Sequence, residues 1–317
     1  MKQRLFSILL IAAALIVCSC ASTDETSGGG DEYEERMQKF VEEISSYARK
    51  IKPGFIIIPQ NGAELAFNNT DMGDGVRQTY IDAIDGIGIE ELFYNGSPDI
   101  DNERLEILRE LKSKKSSLTI MVSDFVSNDG YISDSINKNQ TENFIAFPRS
   151  SDNYDYKYIP GTITGENTDN ITKLADAKNY LYLISTEEFT NKDDMINQIK
   201  LTNYDVVLID LFFESAALTS ADINSLKKKA NGKDRLVICY ISIGSAENYR
   251  YYWQTGWKKG NPSWLKKYYE GYSDEFWVEY WEQEWQNIIY GYIDKIIAAG
   301  FDGVYLDNVE AYYFLTE

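Results

Sequence analysis

The residues best placed to do chemistry are acidic and stand at the ends of apolar runs. Asp307 closes Gly303-Val304-Tyr305-Leu306-Asp307-Asn308, and Glu90 closes Ile84-Asp85-Gly86-Ile87-Gly88-Ile89-Glu90. A short apolar run ending in a carboxylate reads as a buried strand whose last side chain emerges at the sheet's edge. In a barrel of parallel strands, that edge carries the active site. The chain contains no histidine, which excludes His-based triads and His metal sites. Carboxylates must then run most of the chemistry, and a carboxylate pair is the equipment of glycosidic bond hydrolysis. Glu91 competes with Glu90 for a place in such a pair.

Two more segments add polar groups at strand ends. Asp210 follows Val206-Val207-Leu208-Ile209, and Glu247 and Arg250 follow the run Tyr240-Ile241-Ser242-Ile243-Gly244-Ser245-Ala246. Gly244 permits a tight turn there, and Glu247 and Arg250 can pair or reach polar ligand groups. A single such Asp is more often an Asx turn or a helix cap than a catalyst. Three acidic ends on consecutive predicted strands are expected to line one polar pocket. No Cys or His cluster exists to hold a metal, and no cofactor is called for. Carboxylate Ca²⁺ sites remain open.

All six tryptophans fall between Trp253 and Trp285. Trp277, Trp281 and Trp285 recur at helical spacing and are read as packing between a helix and the sheet. Trp253, Trp257 and Trp264 lie on a loop with Gly, Lys and Pro, where core packing and stacking against sugar rings are equally open.

The elements that position these groups alternate. Eight runs have strand character: Phe55–Pro59, Ala83–Ile87, Leu118–Ser123, Phe144–Phe147, Tyr180–Ile184, Asp205–Leu211, Leu236–Ile241 and Gly303–Leu306. Several are apolar on consecutive residues, as expected of strands covered on both faces. Helical spacing is predicted over Glu35–Ile51, Asn102–Lys112, Lys192–Lys200, Ser220–Ala230 and Tyr280–Ala299. Eight strands alternating with helices predict a (β/α)8 TIM barrel over residues 33–317. The stretch Val126–Lys178, dense in Asn, Asp, Ser and Thr, is predicted to form long loops over its mouth.

Composition bounds the partners. Lys2 and Arg4 followed by the apolar run Leu5–Val17 predict an export signal over residues 1–19, too short to span a membrane comfortably. Val17-Cys18-Ser19-Cys20 resembles a bacterial lipobox, which implies a lipid on Cys20 and an extracytoplasmic, membrane-anchored product; plain secretion is the alternative. Residues 20–32 read as a flexible tether. Without Lys2 and Arg4, 29 basic residues face 50 acidic ones, a net charge of −21. Nucleic acid and anionic membrane surfaces, apart from the lipid anchor, are therefore poor partners and a neutral or cationic substrate is favoured, with simple solubility the alternative reading of the charge. The one cysteine left, Cys239, lies in an apolar run and is read as inert packing.

Several stretches together carry a family resemblance. Asp205-Val206-Val207-Leu208-Ile209-Asp210, Tyr240 through Arg250, Tyr252-Trp253 and Gly300-Phe301-Asp302-Gly303-Val304-Tyr305-Leu306-Asp307 resemble glycoside hydrolase family 114. So do Phe55 through Gly62, Ile84 through Glu90, and Leu92-Phe93-Tyr94. The resemblance implies a TIM barrel and an endo-α-1,4-polygalactosaminidase-like activity. It further implies that Asp307 is the nucleophile and Glu90 the acid/base. Asp307 must then stay ionised, held by donors such as Asn308 or Tyr240, while Glu90 must keep a proton near neutral pH. Retention requires the two carboxyls about 5–5.5 Å apart and inversion about 6.5–9.5 Å. Gln60, Asn61 and Trp253 join the expected substrate-binding set. Asp210, Glu247 and Asp124 are expected to hold the cationic amines of a galactosamine polymer. Ser245 stands where the family often carries Glu.

The order of the matches is rotated. In the family, the strand ending at the Asp307 position precedes the Pro59-Gln60-Asn61-Gly62 strand, with one helix between; here it comes last and the helix Met37–Ile51 comes first. This resembles a circular permutation, with the old ends fused through residues 126–178. It predicts that Glu317 lies near Tyr33–Arg36. Two other functions stay open: a carbohydrate-binding surface lipoprotein that has lost hydrolysis, and a scaffold of a surface glycan system.

Overall fold

The computed structural model describes residues 30–315. The expected signal, Cys20, most of the tether and Glu317 lie outside the described residues. Helix α1 (Gly30–Ile51) opens the described chain, and its Met37, Phe40, Val41, Ile44 and Ala48 are fully buried. Their three- and four-residue spacing puts them on one stripe of the helix, and each large side chain so buried contributes about 1.5–3 kcal/mol.

Eight parallel strands follow: β1 (Ile56–Pro59), β2 (Gly86–Pro98), β3 (Thr119–Val126), β4 (Ile145–Ala146), β5 (Tyr180–Leu183), β6 (Val206–Asp210), β7 (Leu236–Ser242) and β8 (Gly303–Asp307). Five of them form one sheet in the order β1-β8-β7-β6-β5, and β2-β3-β4 form another. The two join at β1 and β2, where Gln60 bridges Gly88 and the Asn61 amide donates to the Gly88 carbonyl at 2.7 Å. No ladder connects β4 to β5. A ring contact and a backbone hydrogen bond span that seam: Phe147 packs on Tyr180 with ring centres 5.6 Å apart, and the Ile184 amide donates to the Tyr156 carbonyl at 3.0 Å.

The remaining helices are α2 (Gln78–Ala83), α3 (Asn102–Lys114), α4 (Ile132–Thr141), α5 (Lys192–Lys200), α6 (Ser220–Leu226), α7 (Gln283–Ala299) and α8 (Ala311–Leu315). Thr219 caps α6 through a reciprocal pair with Asp222. The first helix, α1, packs against α7, α2 and α8, and β1 pairs in parallel with β8. In space α1 therefore takes the place of a crossover helix between β8 and β1, although these lie at opposite ends of the sequence.

Several elements differ from expectation. The second strand begins at Gly86 rather than Ala83, because residues 78–83 continue as α2. Helix α4 lies in the stretch read as loops. Its buried face carries Ser135 and Asn139 instead of aliphatic residues, so the apolar period is missing. Trp277 lies on a strand, Glu275–Val278, and only Trp285 of the expected helical trio is helical. That strand sits between Ser245–Glu247 and Leu265–Tyr268 in a small antiparallel sheet, and the predicted loop is thus built on a sheet.

Candidate active site

Side-chain parity brings Asp307 and Glu90 to one face. A Cβ added to Gly88 would meet the Tyr305 hydroxyl at 1.8 Å, so Gly88 and Tyr305 face each other. Successive residues of a strand alternate faces, so Asp307 and Glu90, each two residues further on, share that face one layer nearer the strand ends. Their strands flank β1 on either side, which sets the backbones roughly 10 Å apart. The two groups interact electrostatically.

Asp307 is held by donors. The Tyr240 hydroxyl donates to Oδ2 (2.5 Å), and the Asn308 amide donates to Oδ1 (2.7 Å). Asn308 adopts φ +60°, a left-handed conformation that Asn tolerates better than most residues. Its Nδ2 donates to Ser242 Oγ and Ser245 Oγ (both 2.9 Å) and to Glu275 Oε1 (3.4 Å). Asn308 is therefore part of the support behind Asp307. Ser245 itself donates to Glu275 Oε1 at 2.5 Å, so a carboxylate from the antiparallel sheet reaches this position.

Glu90 has a different environment. Burial pushes its carboxyl up to about 7, and the charges of Asp307 and Glu91 act in the same direction. The Arg149 guanidinium and a hydrogen bond from the Tyr156 hydroxyl to Oε1 act against them. Glu91, with φ +57°, turns away and is bound by Arg149 and by Tyr154 Oη (2.7 Å). Asn61 acts through its side chain, accepting from the Glu90 amide at 3.1 Å. Gln60 is buried and accepts from the Tyr182 hydroxyl at 3.1 Å.

A cleft of about 680 Å³ opens beside this pair, lined by Tyr240, Tyr154, Asp210, Glu247, Arg250 and neighbouring loops. Neither Asp307 nor Glu90 is part of its wall; the cleft meets them through Tyr240, which bonds Asp307, and Tyr154, which bonds Glu91. Arg250 lies between Asp210 (2.6 Å) and Glu247 (2.5 Å) and donates to Tyr292 as well. One guanidinium thus offsets half the charge of the two carboxylates. Burial raises Asp210, opposed by Arg250.

Two expected binding residues are placed elsewhere. Asp124 is fully buried and accepts from the Phe93 and Tyr94 amides, Ser135 and Asn139. It holds a bulge in β2, where Glu91–Tyr94 stand opposite Asp124 alone. Its oxygens are occupied by the fold, which removes it from the amine-binding set. Trp253 stacks on Phe276, ring centres 5.3 Å apart, outside the cleft wall. Sequence reasoning missed Arg149, Tyr154 and Tyr156, which reach the carboxylates from the stretch between β4 and β5. It also missed Glu310, which burial, reinforced by Glu64, raises to about 7. A sequence signal existed for Glu310 alone, three residues beyond Asp307.

Among the described residues, no cluster of Cys, Asp or Glu is arranged to hold a metal ion. A half-buried carboxyl that retains its proton near neutrality, beside a second carboxylate held by donors, is the equipment of glycosidic bond hydrolysis. Residues 166–317 match the model of glycoside-hydrolase family GH114, a (β/α)8 family. The match includes Asp307 and excludes Glu90. Over 158 residues the chain is 36% identical to an uncharacterized protein of Methanocaldococcus jannaschii, covering 48% of this chain and 43% of the relative. It is 38% identical over 117 residues to an uncharacterized protein of Deinococcus radiodurans, covering 37% of each. The chain therefore spans less than half the length of these curated relatives.

Proposed function

We propose that the chain is a glycoside hydrolase that cleaves an amino-sugar polysaccharide of the polygalactosamine kind, with Glu90 as acid/base and Asp307 as nucleophile. The observation that carries the reading is the contrast between the two carboxyls on one face: Glu90 raised to about 7 by burial, Asp307 supplied with donors. Such a divergence of environments separates acid from base. Glu91 is a poorer acid because Arg149 and Tyr154 hold it. The cleft supports a cationic substrate. Six acidic residues line it, among them Asp155, Glu187, Glu214 and Asp274, against Lys157 and Arg250. Asp210 and Glu247 share Arg250, and their residual negative charge serves the same end.

The architecture we infer is a closed, circularly permuted barrel with its seam between β4 and β5. Supporting it are the parallel pairing of β1 with β8 and the position of α1 beside α7 and α8. The lipobox-like Val17-Cys18-Ser19-Cys20 supports a lipid on Cys20 and an extracytoplasmic location. Detergent-phase partitioning tests this, and a Cys20→Ala chain that stays in the membrane fraction contradicts it.

Activity is tested by incubating residues 33–317 with a panel of amino-sugar polymers and reading new reducing ends. Cleavage lost in both Asp307→Asn and Glu90→Gln, with unchanged circular dichroism, supports the pair; full activity in either eliminates that assignment. One observation favours a second reading, a carbohydrate-binding surface lipoprotein without hydrolysis: neither carboxylate belongs to the cleft wall. Polymer binding without new reducing ends would select it.

A further inference from the structure

The segment between β4 and β5 delivers two aromatic residues to the carboxylates in a backbone conformation that aromatic residues rarely adopt. Tyr154 has φ +53° and Tyr156 φ +37°. For bulky side chains this region is sterically strained, and such strain persists only where surrounding contacts over-determine it. Those contacts are present around Tyr156. Its ring stacks on Tyr182 at 3.7 Å with an interplanar angle of 13°. Its carbonyl accepts from Ile184, and its hydroxyl lies 3.0 Å from Ser123 Oγ while bonding Glu90 Oε1.

We propose that Tyr156 is the positioning residue of the acid: it clamps Oε1 of Glu90 so that Oε2 carries the proton. This rests on reading Glu90 as the acid. A phenol has one proton, and here it goes to Oε1, so Ser123 donates to the phenol oxygen. With Oε1 engaged, the carboxylic proton is left to Oε2. The strained backbone fixes the phenol's position, and a fixed donor defines the direction of proton delivery in a way that a mobile water would not. Arg149 completes the arrangement by holding Glu91, the neighbouring carboxylate, in a separate ion pair. Tyr156 and Arg149 lie outside residues 166–317, so the family match assigns neither of them.

The groups acting on Glu90 come from every side. Asp307 and Glu91 repel its charge and Arg149 attracts it. Glu310 after β8 is coupled to it, as are the phenols of Tyr154, Tyr180, Tyr182, Tyr269 and Tyr305. Tyr156 donates a hydrogen bond directly to the Glu90 carboxylate. A donor to the ionised form lowers a carboxyl's pKa, so its loss raises it.

The experiment is a carboxyl-¹³C NMR titration of the full chain, with the Glu90 signal assigned by its disappearance in Glu90→Gln. We expect the Glu90 midpoint to rise by about one pH unit in Tyr156→Phe. Tyr154→Phe, whose hydroxyl bonds Glu91, should move it by less than a third as much. If Tyr156→Phe does not fold, Ser123→Ala serves instead, with a smaller rise of the same sign. An unmoved midpoint in the folded variant overturns the proposal. In activity assays, Tyr156→Phe should lower kcat about tenfold or more, leave KM within twofold and shift the basic limb of the pH profile upward. Full activity in Glu90→Gln would instead remove the reading of Glu90 as acid, while the titration would still decide whether Tyr156 holds that carboxyl.

Discussion

Gly88 and Tyr305 meet so closely that a single methyl group on Gly88 would lie 1.8 Å from the phenol oxygen. The contact sits one layer beneath Glu90 and Asp307, and it sets how near β2 and β8 approach across β1. Gly88→Ala must push Tyr305 or β2 aside. Overpacking of this kind costs about 1–3 kcal/mol, and the displacement carries Glu90 with it. A fall in denaturation midpoint together with loss of activity is expected. An alanine variant with unchanged stability and activity would show that the close packing does not govern the site.

Catalysis should follow the proton on Glu90. Burial raises this carboxyl to about 7, so the proposed acid is loaded below that pH and lost above it. In the plot of kcat/KM against pH, the basic limb should bend near 7 and then fall tenfold per unit. A profile flat from pH 6 to pH 9 would assign the proton donor to another group.

How far the sequence exposes this site depends on whether a role is local. Asp307 and Glu90 were legible because each ends an apolar run, and a strand end is a local pattern. The stripe of α1 and the continuous apolar runs of β6, β7 and β8 were legible for the same reason. Tyr156 was not: its segment has no period of 2 or 3.6, and its role arises only when β4 and β5 come together. Asp124 misled because its position past a strand looks exposed, whereas the bulge opposite aims two amides at its carboxylate. Helix α4 was hidden by the same residue, since Ser135 and Asn139 must be polar to reach Asp124.

Stability should fall as pH rises through the titration of Glu90 and Glu310. Both are raised by burial from 4.5 to about 7. Between those values the folded chain holds more protons than the unfolded chain, so their stabilising contribution is complete below pH 4.5 and lost as pH rises through about 7. The full effect is on the order of 3 kcal/mol per group. Glu310→Gln preserves an acceptor for the Gly62 amide and removes one titration. Urea unfolding at pH 5 and pH 8 should then differ by about 1–3 kcal/mol less in the variant than in the parent. An unchanged difference would mean that Glu310 does not titrate in this window.

Two adjacent lysines separate a structural charge from a superficial one. Lys229 and Asp205 form an ion pair with both side chains fully buried. The pair is completed by Asn167, which accepts from Lys229 and donates to Asp205, and by the Lys178 amide, which donates to Asp205 at 2.8 Å. It lies at the start of β6, at the opposite end of the strand from Asp210. Removing one partner leaves a buried charge uncompensated, which costs about 3–5 kcal/mol. Lys228 pairs with Asp234 in solvent, the two side chains 60% and 40% exposed, and such pairs contribute less than about 1 kcal/mol. Lys229→Met should therefore lower the urea midpoint strongly and Lys228→Met hardly at all. Because the buried pair is a strand's length from the carboxylates, the surviving folded fraction of Lys229→Met should retain the parent's KM. Equal midpoints for the two variants would show that the interior does not isolate this pair from water.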